Sequence, residues 1–192
     1  NDEAIIVSAG GQSVKFKVSV LRAASRISGG VRGMKLASGD MVVGMDIPVA
    51  GQAVLVVTEF GYGKRTPVED YPLHGRGGQG VITFKTTPKT GRLITARIVE
   101  AEHELMLISN SGVVLRTPMA HISLQGRPTQ GVTLMDVSGD DRVAAVAVID
   151  MRRDFSGVEN LPTGATVADE DDKKPKAKSN GNGAAPKTPK DE

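Results

Sequence analysis

The sequence predicts an all-β fold: an array of propeller-like blades, each of four antiparallel strands. Three observations lead there. A text recurs in which a glycine (Gly11, Gly61, Gly112) is followed four residues on by a basic residue (Lys15, Arg65, Arg116) and eleven residues later by an arginine (Arg26, Arg76, Arg127). A Gly-Val pair comes four residues after that: Gly30-Val31, Gly80-Val81, Gly131-Val132. The unit returns after 50 and then 51 residues, a period typical of blades and related arrays. Each unit also holds four short apolar runs punctuated by glycine, and no segment of useful length has a helical period.

The units span 4–49, 53–100 and 105–151. Each opens on an apolar run that ends in a hydroxyl: AIIVS to Ser8, AVLVVT to Thr58, LMLIS to Ser109. The repeat glycine follows three residues later, where a hairpin turn favours a residue able to take positive φ. The second runs are SVKFKVSV, GKRTPV and VVLRTPM. Alternation in the first puts Val14, Phe16 and Val18 on one face and Lys15 and Lys17 on the other, so those lysines are expected to point away from the core. The third run starts at the Gly-Val pair. A turn at Gly39, Gly91 or Gly139 leads to the fourth: MVVGMDIPV, RLITARIVE or RVAAVAVID. Three such units are fewer than the about four to eight blades that close a propeller, so open edges are expected.

Apolar residues thin out after Met151, and the sequence turns to DEDDKKPKAKSNGNGAAPKTPKDE. A segment of this composition buries too little apolar surface to offset its ordering entropy, which predicts a disordered charged tail over 152–192. The chain starts at Asn1, almost directly on a strand-like run, as a piece of a longer polypeptide would. It has no cysteine, hence no disulfide or thiolate metal site, and no run near the ~20 apolar residues of a membrane helix. A reducing cytoplasm is the expected setting.

Motifs for catalysis are weak. Gly75 to Gly80 reads G-x-G-x-x-G, but β-like sequence follows where a dinucleotide site needs a helix. Gly63-Lys64 lacks the other glycine and the hydroxyl of a phosphate loop, because Thr58 and Arg65 occupy those positions. His74, His103 and His121 are not at metal-ligand spacings, and His103 falls in an acidic turn where solvation is expected. Glu69 and Asp70 follow Pro67 in a turn, and Tyr62 and Tyr71 have no activating base near in sequence. No catalytic residue and no metal site are assigned.

Charge carries more information. The net charge is only +2, but Gly11 to Lys35 holds six basic residues and no acid. Basic positions that recur in every unit suit a partner with repeated negative charge, the nucleic-acid phosphate backbone. The candidate contacts are Lys15, Lys17, Arg26, Arg32, Lys35, Lys64, Arg65, Arg76, Arg116 and Arg127, with glycines beside Arg76 that let backbone amides approach phosphate. A protein-binding β-repeat scaffold, its cations serving solubility, is the competing reading.

TEFGYGKRTPVEDYPLHGRGGQGVITFK (58–85) resembles the penultimate repeat of the C-terminal domain of DNA gyrase A, and SNSGVVLRTPMAHISLQGRPTQGVTLM (109–135) resembles the last. RISGGVRGMKLASGDMVVGM (26–45) is similar to the repeat before those. The corresponding domain of topoisomerase IV is an alternative. The resemblance implies a six-bladed β-pinwheel whose blades exchange strands, of which this chain supplies the last three. It implies wrapping of double-stranded DNA for negative supercoiling by an ATP-dependent type II topoisomerase. It also implies a heterotetramer with the rest of gyrase A and with gyrase B, and a bacterial, nucleoid-associated location. The cleaving tyrosine and the sites for ATP and Mg2+ would lie elsewhere in the complex, leaving no cofactor for this chain. The family's first blade carries a Q-R-R-G-G-[KR]-G box. Residues 74–80 keep Arg76, Gly77, Gly78 and Gly80 but depart at His74, Gly75 and Gln79, as a degenerate copy does.

Overall fold

The computed structural model describes residues 2–150. The tail expected at 152–192, and Met151 at the end of the third unit, lie outside the described residues.

Every repeat begins with a hairpin. In the first, β1 (Glu3–Ser8) pairs with β2 (Gln12–Lys17), with Ala4 opposite Phe16 and Ile6 opposite Val14. The turn is built the same way three times. Gly11, Gly61 and Gly112 take φ of 81°, 77° and 86°, the left-handed region that disfavours a side chain. The hydroxyls that close the first runs explain themselves here: Gln12, Tyr62 and Val113 donate their backbone N–H groups to Ser8 Oγ, Thr58 Oγ1 and Ser109 Oγ. A 3₁₀ turn then ends the second strand in each repeat, at Val18–Val20, Val68–Asp70 and Met119–His121.

The last strand of each repeat, β3 (Val42–Asp46) in the first, returns to the open side of the opening strand. Repeat two contributes β4 (Ala53–Thr58), β5 (Tyr62–Pro67), β6 (Val81–Ile82) and β7 (Leu93–Val99). Repeat three contributes β8 (Glu104–Ser109), β9 (Val114–Pro118), β10 (Val132–Thr133) and β11 (Val143–Ile149).

The third run does not join its own repeat. Strand β6 pairs with β2 of repeat one, Val81 opposite Ser13, and β10 pairs with β5 of repeat two, Val132 opposite Gly63. The sheets are therefore β3-β1-β2-β6, β10-β5-β4-β7 and, with three strands only, β11-β8-β9. This corrects the expectation that the four strands of a unit form one blade: repeats two and three contribute four strands each, but the third of each pairs in the preceding sheet, which gives the strand exchange that the resemblance implied. Val31 and its neighbours, the equivalents of β6 and β10, form no strand.

Two of the three core clusters are seams between consecutive repeats; the third, Ala4, Ile6, Val14, Phe16 and Met34, lies within repeat one. Ile5 and Val7 of β1 meet Val54 and Val56 of β4, with Tyr71, Phe84 and Ala96 filling the space. On the other side of β4, Leu55 and Val57 meet Leu105 and Leu107 of β8 beneath Met119, Ile122 and Met135. Strand β4 is thus buried along its whole length, which is why it reads as a continuous apolar run instead of alternating. Each such Val or Leu contributes about 2 kcal/mol by leaving water. The donated strand serves both blades: β6 extends one sheet, and Phe84, two residues beyond it, plugs the seam to the next.

Candidate nucleic-acid interface

The recurrent cations fall into two classes that the sequence does not separate. Lys15 is buried at 8% exposure, its Nζ 3.2 Å from Glu3 Oε2 and 3.3 Å from the carbonyl of Val68 in the next blade. Its equivalent Arg65 is half-buried and reaches one repeat onward in the same way, donating from Nε to Ile122 O at 3.0 Å and from Nη2 to Ala120 O at 3.3 Å. Arg116, exposed on β9, pairs with Glu104 of β8. The expectation that the strand cations point away from the core is corrected for Lys15: it does face away from Phe16, but that second face is covered by the next blade. Lys17 is exposed as expected.

Lys64 is fully buried, although its sequence pattern groups it with the DNA contacts. Its ammonium donates to the carbonyls of Gly126 and Arg127 at 2.6 Å each and to Thr129 Oγ1 at 2.9 Å, and lies 5.8 Å over the ring of Phe84. Burial, helped by the Arg127 charge and opposed by Asp70, lowers its pKa to about 8. Lys64 is a positioning residue for the loop that carries Arg127.

The second class lies on the loops. Backbone bonds draw the loop of each repeat along the preceding one: His74 N–H donates to Lys15 O, and Gln125 N–H donates to Arg65 O. Further along, Lys35 N–H donates to Gly78 O and Lys85 N–H to Thr129 O. Arg76 then reaches back to the carbonyl of Arg32 at 3.4 Å, and Arg127 to the equivalent carbonyl of Ile82 at 3.2 Å. The result is a repeated basic ledge, Lys35 with Arg76 and Lys85 with Arg127. Arg26, Arg32, Lys35, Lys85 and Arg76 are exposed and Arg127 is half-exposed. Among the described residues none of these six has a carboxylate within ion-pair distance.

Sequence reasoning missed Lys85. The signal was present, since Lys85 lies one period after Lys35. Gly77 and Gly80 take φ of 83° and 80°, and Gly77 donates its N–H to Gly33 O, so these glycines, with the Gly78 carbonyl, tie the loop to repeat one. His103 is half-buried, its Nδ1 accepting the Glu100 N–H, which corrects the solvated turn expected there. Tyr71 is buried, its hydroxyl 2.5 Å from Thr83 Oγ1, and burial raises its pKa to about 12. Among the described residues no group of three His, Asp or Glu side chains gathers as metal ligands, and no helix is long and apolar enough to cross a membrane.

Comparison with known proteins bears on this geometry. The chain is 43% identical over 155 residues to the A subunit of DNA gyrase from Dehalogenimonas lykanthroporepellens, covering 78% of this chain and 19% of that protein. It is 39% identical over 188 residues to the A subunit of DNA gyrase from Pseudomonas aeruginosa, covering 94% of this chain and 20% of that protein. The chain thus spans about a fifth of the length of these curated relatives. A solved structure of a DNA gyrase A C-terminal domain superposes with TM-score 0.71 at 29% identity, over 78% of this chain and 51% of that one. The C-terminal domain of DNA topoisomerase IV superposes with TM-score 0.72 at 19% identity, over 78% of this chain and 47% of the other, a likeness of fold alone. The model of the DNA gyrase C-terminal domain, beta-propeller, matches residues 2–48, 52–100 and 103–150. Those three matches are the three strand-exchanging repeats, so the chain belongs to the family of DNA gyrase C-terminal domains.

Proposed function

We propose that this chain is the C-terminal DNA-binding and DNA-wrapping part of a DNA gyrase A protein, serving negative supercoiling by an ATP-dependent type II topoisomerase. The observation that carries the reading is the repeated ledge of exposed cations, Lys35 with Arg76 and Lys85 with Arg127, unpaired with any described carboxylate. Cations held on backbone-anchored loops at a fixed interval suit a duplex, whose charge also repeats at a fixed interval. Contacts of this kind position a backbone and carry no sequence information. Identity near 40% to the A subunits of two gyrases supports gyrase over topoisomerase IV. In this reading the chain contributes grip, while strand cleavage and ATP hydrolysis belong to other parts of a complex with gyrase B. The location would be bacterial and nucleoid-associated.

The test separates the two classes of cation. Replacing Arg76 and Arg127 together by alanine is expected to weaken binding to unrelated duplexes equally and to reduce the slope of log affinity against log salt by about one for each arginine removed. Thermal stability should change little, since each arginine gives up one exposed carbonyl partner. Unchanged affinity and slope in a gel-shift titration would sink the ledge and favour a protein-binding scaffold.

A further inference from the structure

The segment that leads to each loop arginine carries an exposed leucine on pinned backbone. Arg65 N–H donates to Ser123 O at 2.9 Å and Gln125 N–H donates to Arg65 O at 2.8 Å, so Leu124 is bracketed by two backbone bonds to β5. Leu73 stands at the equivalent point beside Lys15, where His74 N–H donates to Lys15 O at 2.7 Å. Each leucine comes two residues after one that fills a seam, Tyr71 or Ile122, and three before its loop arginine, Arg76 or Arg127. The leucines themselves are 45% and 57% exposed and join none of the apolar clusters among the described residues. Leu124, the more exposed of the two, sits on the middle blade, which has a described repeat on either side.

The ledge therefore mixes apolar side chains with its cations. Ile82 adds a third, because its carbonyl accepts from Arg127 and its side chain is 45% exposed on the outermost strand of its sheet. An apolar protein groove would suit this mixture badly, since docking there would desolvate Arg76 or Arg127 without a counter-charge. A duplex suits it, because phosphates take the cations while the sugars and base steps between them offer apolar surface. An apolar side chain in the minor groove partly unstacks a base step and kinks the helix. That deformation costs least at pyrimidine–purine steps such as TA and CA.

We propose that Leu73 and Leu124 are specificity-determining residues, apolar wedges that enter the minor groove where the ledge grips a duplex and make the chain favour DNA with flexible pyrimidine–purine steps. The inference rests on the DNA-binding reading above and adds to it a sequence dependence that phosphate contacts lack. The wedge belongs to repeats two and three, since repeat one has Ala23 at the equivalent position. Arginines reading the minor groove would give the opposite preference, because a stiff A-tract narrows that groove and draws cations into it. The two sources of selectivity are thus separable by sign.

Competition between two duplexes of equal length and base composition, one rich in TA steps and one built of A-tracts, tests it on the whole chain at low salt. The parent is expected to favour the TA duplex about fivefold. Leu73→Ala with Leu124→Ala should abolish that preference and leave the salt slope unchanged, while Leu73→Met with Leu124→Met should keep it. Arg76→Ala with Arg127→Ala should do the reverse of the alanine pair, lowering the slope and keeping the preference. The leucines are exposed, so equal urea midpoints are expected for all these variants and the parent. Equal binding of both duplexes by the parent, a preference for the A-tract, or a TA preference that survives in the leucine-to-alanine pair would overturn the wedge while leaving the ledge standing. A parent that binds neither duplex would overturn the DNA-binding reading and the wedge with it.

Discussion

Gly61→Ala is expected to destabilise the protein by about 3–5 kcal/mol, whereas the same change at the equivalent Gly112 costs about 1 kcal/mol. Both residues sit at positive φ in the same hairpin turn, at 77° and 86°, so the backbone penalty is shared. The surroundings differ. The carbonyl of Gly61 accepts the N–H groups of Leu134 and Met135, and a Cβ there would lie 2.1 Å from Met135 O. Backbone cannot swing aside as a flexible side chain can. The new methyl must push the 132–135 segment off β5 and withdraw Met135, only 3% exposed, from the seam it fills. At Gly112 the methyl meets nothing within 4 Å. Urea midpoints of the two variants measure the difference. Equal losses would mean that the glycine acts only through its turn and that the donated strand adds nothing to stability.

Lys64→Ala should lower stability by about 3 kcal/mol, and Lys64→Met by about 1 kcal/mol. Alanine leaves a cavity beneath Phe84 and also removes the donor to the Gly126 and Arg127 carbonyls. Methionine fills the space and loses only the donor. Both variants should also weaken duplex binding, although Lys64 itself is buried, because the loop bearing Arg127 loses its anchor. The pH dependence provides a separate readout. The Lys64 pKa is lowered from 10.5 to about 8, so between those values the unfolded chain holds more protons than the folded one. The Lys64 contribution to stability therefore rises with pH from about 8 upward. Above about 10 Tyr71 acts oppositely, since its folded value is raised to about 12 and the unfolded phenol ionises first. Chemical denaturation at steps between pH 7 and 10 should show the rise in the parent and a flat profile in Lys64→Met. A rise that persists in Lys64→Met would assign the titration to another group.

Local features are legible from the residues. The glycines at 11, 61 and 112 mark turns because positive φ is a property of one residue, and the hydroxyls of Ser8, Thr58 and Ser109 sit within four residues of the amides they accept. The loop arginines are legible because a period of 50 and 51 residues places them at equivalent points whatever the packing. The same arithmetic finds Lys85, but its counterpart in repeat three, Asp136, reverses the charge and hides the pattern.

Lys15 and Lys64 escape the sequence for another reason. Alternation along β2 distinguishes two faces of a strand, but it is silent on what covers the second face. In an array of blades that face is covered by the next repeat, so a lysine opposite the core side is buried if its ammonium finds acceptors. Val68 O serves Lys15 in this way; Lys64, one residue before the Lys15 equivalent Arg65, lies on the opposite face of its strand with Val56 and Phe84, and there the 126–129 loop supplies its acceptors.

Strand content, three-fold repetition, hairpin turns and recurring cations all follow from residues that are close together or at a fixed interval, so the amino-acid order is enough to read them. The assignment of β6 and β10 to the preceding blades needs the folded chain, and so does the division between cations that latch blades together and cations that form the exposed ledge. Strand partners lie 70 and 71 residues apart here, Gln12 with Ile82 and Tyr62 with Thr133. Burial of a charge depends on the carbonyls that those distant partners bring to it.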